Sequence, residues 1–341
     1  VVFNARKEVS GLFFLPSTAG VDQSAPPPYA RTNAFREEEF TVGKGEWRLP
    51  ATLTLPSNGA GPWPAVVLVH GSGPNDRDET IGGLKPFRDL AWGLASKGIA
   101  VLRYEKRTKE YGAKFGSLMV SGKLANPLKE EVIDDAVSAV SQLREMAAID
   151  PKRVFVLGHS LGGTIAPRIG EADPRIAGLI IMAGATRPIE DLVVQQTRYL
   201  RSPNGEMSAP EQESLREIES QAAIIKKLTA ADASSSKMFL GAPAAYWLDL
   251  RAHDPVAEAR ALKQPLLILQ GGRDYQVTTA NFDDWKKGLS AMPNVSFKLY
   301  PRLNHLFVAG EGKSTPQEYE KAGNVAEPVV ADIADWILKT H

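Results

Sequence analysis

Cysteine is absent from this 341-residue chain, which excludes disulfides, thiolate metal sites and cysteine nucleophiles together. Excess charge is absent as well. Lysine and arginine total 40 and aspartate and glutamate total 40, so electrostatics give no reason to expect nucleic acid or an anionic membrane as partner. No apolar run approaches the roughly 18 residues needed to span a bilayer, and internal repeats are lacking. What is present is a 43% hydrophobic content, enough for a sizeable core, in a length that suits one large or two modest domains. The composition describes a soluble globular protein whose chemistry falls to oxygen and nitrogen side chains.

The N-terminal stretch reads as peripheral. Residues 9–15 have the texture of one strand, and Pro26-Pro27-Pro28 reads as a semi-rigid linker. Residues 1–35 are therefore expected to form an extension. The chain begins at Val1 with no visible signal segment, a start expected inside a longer gene product or after a cleavage.

From residue 36 strands and helices alternate. Residues 40–42 and 51–55 suit a strand pair around a Gly43–Gly45 turn, and the apolar run 65–69 suits a strand covered on both faces. Pro86 opens a helix carrying Phe87, Leu90 and Leu94, which Gly98 closes. Further strands are expected at 99–104, 153–157, 179–182, 265–269 and 295–300. A helix over 129–147 bears the stripe Val132, Ala136, Val140 and Leu143, and a last one bears Val329, Ile333, Trp336 and Ile337. This alternation predicts an α/β fold with a mostly parallel sheet covered by helices on both faces.

Residues 187–262 break the rhythm. They contain no strand-like run, but Ser208 and Glu211 have capping-box spacing, and Leu215, Ile218, Ala222 and Ile225 form a seam. This segment is expected to be a helical cap inserted into a core made of 36–186 and 263–341, lying over the strand ends where such sheets bind ligands.

Gly158-His159-Ser160-Leu161-Gly162 follows the strand at 153–157 directly and precedes a helix. Glycines flank the serine because a sharp strand–turn–helix corner has no room for side chains there, and the corner lifts the hydroxyl above the sheet. Ser160 is thus the candidate nucleophile. It needs a base, and the chain has five histidines. His159 adjoins the serine and should point away from it, His70 ends a strand in a glycine turn, His253 lies in the insertion and His341 is terminal. His305, in a loop after the strand at 295–300, is left as the base. Asp274, just past the strand at 265–269, is the candidate acid, with Asp283 and Asp284 as competitors placed in a surface helix. The order Ser160, Asp274, His305 is that of α/β-hydrolases.

An acyl-transfer site also needs donors for the oxyanion. His70-Gly71-Ser72-Gly73-Pro74 follows the first buried strand, so the N–H groups of Ser72 and Leu161 are the expected donors. The charged segments 75–79 and 103–107 read as a self-braced loop and a solvated cluster. Tyr246 and Trp247 in the insertion, with Tyr104 at a strand end, are the candidate pocket residues.

These motifs, HGSGPNDRD at 70–78, GHSLGG at 158–163, GGRDYQV at 271–277 and LNHLF at 303–307, resemble the α/β-hydrolase esterases grouped near the serine aminopeptidase-like hydrolases. The likeness runs from about residue 36 to the C-terminus. It implies a serine carboxylesterase for short acyl chains, often thermostable, working by an acyl-enzyme with no metal or organic cofactor and with a small-molecule ester as partner. Longer relatives often carry a small domain before the hydrolase, whose end residues 1–16 resemble, and such relatives are frequently exported. Secretion or a periplasmic location is compatible with this, as is the cytoplasm. An aminopeptidase-like hydrolase would need carboxylates in the cap for a substrate amine, with Glu190, Asp191 and Asp249 as candidates. An acyltransferase would differ only in acceptor. A non-enzymatic ligand-binding relative commonly loses a triad member, and here all three are present.

Overall fold

The computed structural model describes residues 2–3, 9–11, 25–59, 61–124, 126–201 and 206–340. Its centre is an eight-stranded sheet built from β1 (Phe35–Val42), β2 (Leu49–Pro56), β3 (Trp63–Val69), β4 (Ala100–Tyr104), β5 (Ile149–His159), β6 (Leu179–Met182), β7 (Leu266–Gly271) and β8 (Val295–Tyr300). In space the order is β1-β2-β4-β3-β5-β6-β7-β8, and β2 alone runs against the others.

Period-two alternation assigns the layers. Val66 and Leu68 join the core on one face, beneath α1 (Pro86–Ala95) and α9 (Glu327–Lys339). Val67 and Val69 join the other, beneath α2 (Asp134–Arg144), α3 (Leu161–Ala172) and α8 (Thr279–Leu289). Strands buried on both faces show continuous apolar runs for this reason. Every central strand ends on the edge that carries the candidate motifs.

Three departures from the expected elements have physical causes. β1 begins at Phe35 rather than residue 40, because its exposed Glu37, Glu38 and Glu39 hide the strand pattern while protecting a sheet edge. The helix expected over 129–147 enters through a single π turn, Lys129–Ile133, before α2. The segment between β6 and β7 contains not only α4 (Ile189–Arg201), α5 (Ala209–Ile225), α6 (Ala244–Arg251) and α7 (Pro255–Ala261) but also a short antiparallel pair, Met238–Phe239 with Ala242–Pro243. The Ser208–Glu211 capping box forms, and Leu215, Ala222 and Ile225 are buried along the expected seam.

Residues 12–15 of the expected first strand lie outside the described residues; 9–11 pair with 2–3. Beyond the prolines, Tyr29 packs on the core and its hydroxyl donates to the Val325 carbonyl at 2.7 Å.

Trp247 is buried in the inserted segment, and its indole N–H donates to the carbonyls of Phe239 (2.8 Å) and Ala242 (3.2 Å). It thereby locks the short strand pair onto α6. Trp247→Ala is expected to cost about 3–5 kcal/mol, and Trp247→Phe about 1 kcal/mol from the lost hydrogen bonds. Thermal unfolding of the two variants checks both values.

Candidate active site

Ser160 stands between β5 and α3 with φ 53° and ψ −115°, a strained backbone for a non-glycine residue and one that clusters at active sites. The corner is sterically closed. A Cβ on Gly158 would come within 2.1 Å of the Gly162 carbonyl, and one on Gly162 within 2.3 Å of the Val69 carbonyl. Leu161 is the first residue of α3, where N–H groups lack intrahelical acceptors and the helix dipole favours negative charge.

His305 and Asp274 are brought together directly. The His305 Nδ1 lies 2.7 Å from Asp274 Oδ2, and both residues are buried. Asp274 Oδ1 accepts from the N–H groups of Gln276 (2.8 Å) and Val277 (2.9 Å), and Oδ2 also accepts from Gln270 Nε2 at 3.2 Å. The carboxylate is thus held on every side, aimed at the imidazole. The His305 loop is itself stapled by Asn304, whose Oδ1 accepts from Leu306 and Val308 N–H. Asp283 and Asp284 lie on α8, with Asp284 paired to Arg187 on the surface at 2.9 Å.

Ser160 Oγ is not hydrogen-bonded to His305 in this structure; nucleophile–base contacts often tighten only in the Michaelis complex. The two halves meet through the neighbouring residue. His159 Nε2 lies 3.0 Å from the His305 carbonyl oxygen, and the two rings are 4.8 Å apart. On its other side His159 Nδ1 pairs with Glu79 Oε2 at 2.9 Å. Burial opposes charge on both, but the pairing prevails: Glu79 is held below the ordinary carboxylate range and His159 above the ordinary imidazole value.

The loop after β3 closes on the serine. A Cβ on Gly71 would lie 3.1 Å from Ser160 Cβ, so the glycine's missing side chain is what admits the contact. Its N–H donates to Glu79 Oε1 at 2.6 Å, and its carbonyl accepts from Lys106 Nζ at 2.8 Å. Ser72, next in the chain, is exposed.

The three pocket candidates take these positions. Tyr104 is buried edge-on against the His70 ring at 5.3 Å, Tyr246 packs against the core beneath α2 and α3, and Trp247 holds the strand pair described above. None of the three lines the 510 Å³ cavity that opens beside α3, whose walls include Thr164, Arg168, Glu190, His253 and Glu258. Thr164, one turn beyond the serine, donates its hydroxyl to the Ser160 carbonyl at 3.2 Å. Within that cavity His253 is tied to Glu258 at 2.5 Å. Among the described residues, no cluster of three or more His, Asp or Glu is arranged to hold a metal ion, and no helix is long and apolar enough to cross a membrane.

Sequence reasoning missed the buried ions. Arg103, Lys106 and Arg107, expected to be solvated, are 2–7% exposed. Arg103 pairs with Asp78 and Glu37, and Arg107 grips Asp135 at 2.5 and 3.0 Å. Segment 75–79 is braced from the next strand's end, by Arg103 and by Glu105 on Arg77 (2.9 Å), as well as by its own Asp76, which accepts from Asp78 N–H at 3.2 Å, rather than by an internal Asp–Arg pair. The available signal was the matched charge of the two segments, each at a strand's C-terminal end.

Comparisons with known proteins place the chain in a family. A family model described as serine aminopeptidase, S33, matches residues 62–311. The chain is 42% identical to Esterase EstD of Thermotoga maritima over 339 residues, 99% of this chain and 76% of the relative. It is 27% identical over 143 residues to the putative hydrolase YtaP of Bacillus subtilis, covering 39% of this chain and 47% of that protein. Among solved structures, the Pyrococcus furiosus esterase PF2001 superposes with a TM-score of 0.56 at 15% identity, over 94% of this chain and 99% of that one. The acylaminoacyl peptidase of Pyrococcus horikoshii gives 0.56 at 14% identity, over 90% of this chain and 42% of its own. These two likenesses concern the fold alone.

His70 supplies a pH test of this corner. Burial between Phe87 and Tyr104 lowers its pKa from the usual 6.5 to about 4; nearby Glu79 and Asp76 pull upward and Lys106 downward. The unfolded chain therefore binds a proton here that the folded chain refuses, so the stabilisation is complete above pH 6.5 and is lost as pH falls toward 4. His70→Gln should flatten this acid-side fall by about 3 kcal/mol. Parallel denaturant titrations of wild type and variant from pH 7 to 4 measure the difference.

Proposed function

This chain belongs to the serine aminopeptidase S33 family of α/β-hydrolases, and from that premise we propose a carboxylesterase that cleaves short-chain acyl esters through an acyl-enzyme on Ser160. The observation that carries the site assignment is the Asp274–His305 contact at 2.7 Å, docked through His159 onto the corner that bears the serine. The near-full-length likeness to an esterase supports the ester as substrate.

In this reading Ser160 Oγ attacks the ester carbonyl while His305 Nε2 accepts its proton. Asp274 holds the imidazole by Nδ1 and stabilises the imidazolium. The N–H groups of Ser72 and Leu161 bind the tetrahedral oxyanion where the charge develops. His305 then protonates the departing alcohol, and water, activated by the same imidazole, releases the acid and regenerates Ser160. Residues 187–262 serve as a cap over this site.

A second reading, hydrolysis of aminoacyl substrates, is favoured by one feature. Glu190 is 1% exposed, has an unpartnered Oε2, and lines the cavity beside α3. A carboxylate so placed suits a cationic amine. An aminoacyl anilide assayed beside a butyrate ester separates the two readings, the esterase reading expecting turnover of the butyrate alone.

Ser160→Ala is expected to fold normally and lose nearly all turnover, keeping only about 10³–10⁴-fold catalysis over water from the remaining groups. A serine-directed phosphonate should label wild type once, at Ser160; peptide mapping that finds the label elsewhere overturns the assignment. Asp274→Asn should depress kcat far more than Asp283→Asn.

Chromogenic esters from acetate to palmitate test the substrate range. Since each methylene changes discrimination by only about 1–3 kcal/mol, kcat/KM should rise and fall smoothly around acyl chains of about two to six carbons. Preference for palmitate over butyrate would replace the esterase reading by a lipase.

A further inference from the structure

Lys106 is a buried cation for which the catalytic cycle above has no use. It is 2% exposed, and its Nζ lies 2.8 Å from the Gly71 carbonyl oxygen and 2.8 Å from Glu131 Oε1. Glu131, 5% exposed, sits in the π turn that interrupts the approach to α2, and the buried phenol of Tyr246 on α6 lies close enough to interact with its charge. A line of polar contacts thus runs from the inserted segment to the loop that closes on Ser160.

The position of Gly71 explains what such a line does. Space requires a glycine, since a Cβ would stand 3.1 Å from Ser160 Cβ and 3.2 Å from Glu79 Oε1. A glycine is also the residue least able to fix its own backbone. Both peptide planes that meet at Gly71 are instead held from outside: Glu79 takes its N–H at 2.6 Å, and Lys106 takes its carbonyl. Asn75 Nδ2 adds a weaker, partly exposed hold on the same carbonyl at 3.1 Å. The peptide unit is planar and trans, so the Gly71 C=O and the Ser72 N–H point in opposite directions within one rigid group. Fixing the carbonyl fixes the N–H. A charged donor on the carbonyl also polarises that N–H toward an acceptor on its far side.

We propose that Lys106 is a positioning residue of the oxyanion hole, orienting the Ser72 N–H through the Gly71 carbonyl and linking it through Glu131 and Tyr246 to helix α6. The proposal rests on the esterase reading and on Ser72 as an oxyanion donor. It touches no reacting atom, so its signature is a loss of transition-state stabilisation without a loss of substrate binding.

The experiment compares wild type with Lys106→Met, with the charge-balanced pair Lys106→Met/Glu131→Gln, and with Tyr246→Phe. Each is assayed for thermal midpoint, for kcat and KM on a chromogenic butyrate ester, and for affinity toward an alkyl trifluoromethyl ketone. That inhibitor adds Ser160 Oγ to its carbonyl carbon and leaves an oxyanion in the hole. Lys106→Met should lower kcat by about 10–100-fold, short of the 10²–10³-fold cost of deleting an oxyanion donor outright. KM should stay near the wild-type value, and ketone affinity should fall by the same factor as kcat/KM. Removing both buried charges avoids stranding Glu131, so the pair should recover the thermal midpoint but not the rate. Tyr246→Phe, which spares the ion pair, should lower kcat and ketone affinity together by a few-fold.

Wild-type kcat and ketone affinity in any folded Lys106 variant overturn the proposal, as does a double variant whose rate returns with its stability. If neither Lys106 variant folds, Tyr246→Phe decides: unchanged kinetics overturn the link. Wild type separates this failure from that of the parent reading. A wild-type enzyme that does not turn over the ester, or is not captured at Ser160, refutes the esterase assignment itself.

Discussion

The close approach of Gly162 to the end of β3 is the constraint from which the rest of the site follows. With a Cβ this residue would stand 2.3 Å from the Val69 carbonyl and 2.7 Å from that of His70. Only a glycine lets the start of α3 lie directly against the neighbouring strand, and that contact brings the loop at Gly71 to the serine. The reciprocal glycine, Gly71, accepts Ser160 from the other side. Two missing side chains, one at the start of α3 and one in the loop after β3, on segments that follow strands adjacent in the sheet, therefore decide how closely Ser160 and the Gly71 loop meet. Parallel β3 and β5 end on the same edge, so no long loop has to carry either group there.

Such closeness leaves backbone groups without room for water, and ions fill the resulting needs. Glu79, Lys106 and His159 are all buried, and each bonds or pairs with a group in a loop that belongs to the site. As stability elements these pairs are poor choices, because desolvation can exceed the Coulombic gain. Their value lies in direction. An apolar filler of equal volume would pack as well and leave the peptide planes at Gly71 free to turn. The same logic places Gln270 and two backbone N–H groups on Asp274: the carboxylate is saturated so that its remaining geometry points to His305.

The legibility of the sequence divides along this line. The central parallel strands were readable because burial on both faces writes an unbroken apolar run, and the candidates Ser160 and Asp274 could be located because each follows such a run within a few residues, whereas the candidate His305 follows the alternating edge strand β8. Burial of charge was not readable. Arg103, Lys106 and Arg107 look in sequence like any solvated cluster, and only the tertiary meeting with Asp78, Glu131 and Asp135 removes them from water. Edge strand β1 was shortened in prospect because three successive glutamates carry no hydrophobic period. The aromatic residues at 246 and 247 were ambiguous for a different reason: a ring that fills a core and a ring that walls a pocket have the same sequence signature. Here Trp247 spends its N–H on two carbonyls of the inserted segment.

Backbone strain follows the same map. Glu79, Ser160, Ala183 and Phe307 are non-glycine residues with φ between 50° and 58°, a conformation that costs roughly 1–3 kcal/mol where the surroundings must impose it. Glu79 belongs to the segment that holds Gly71, Ser160 is the corner itself, and Phe307 lies two residues beyond His305. Ala183 follows β6, and its N–H is fixed by the Leu269 carbonyl on β7, next to the strand end that leads to Asp274. Each strained residue is buried or anchored by hydrogen bonds: Glu79 by Gly71 and His159, Phe307 by the Asn304 carbonyl at 3.0 Å, Ser160 by the Met182 carbonyl at 2.9 Å. Apart from Leu240, at the turn of the short inserted strand pair, strain and its anchors fall on the same few strand ends. A site that needs several strand-end segments to agree on one geometry cannot leave each at its local minimum, and the sheet that supplies the anchors is what makes the disagreement tolerable.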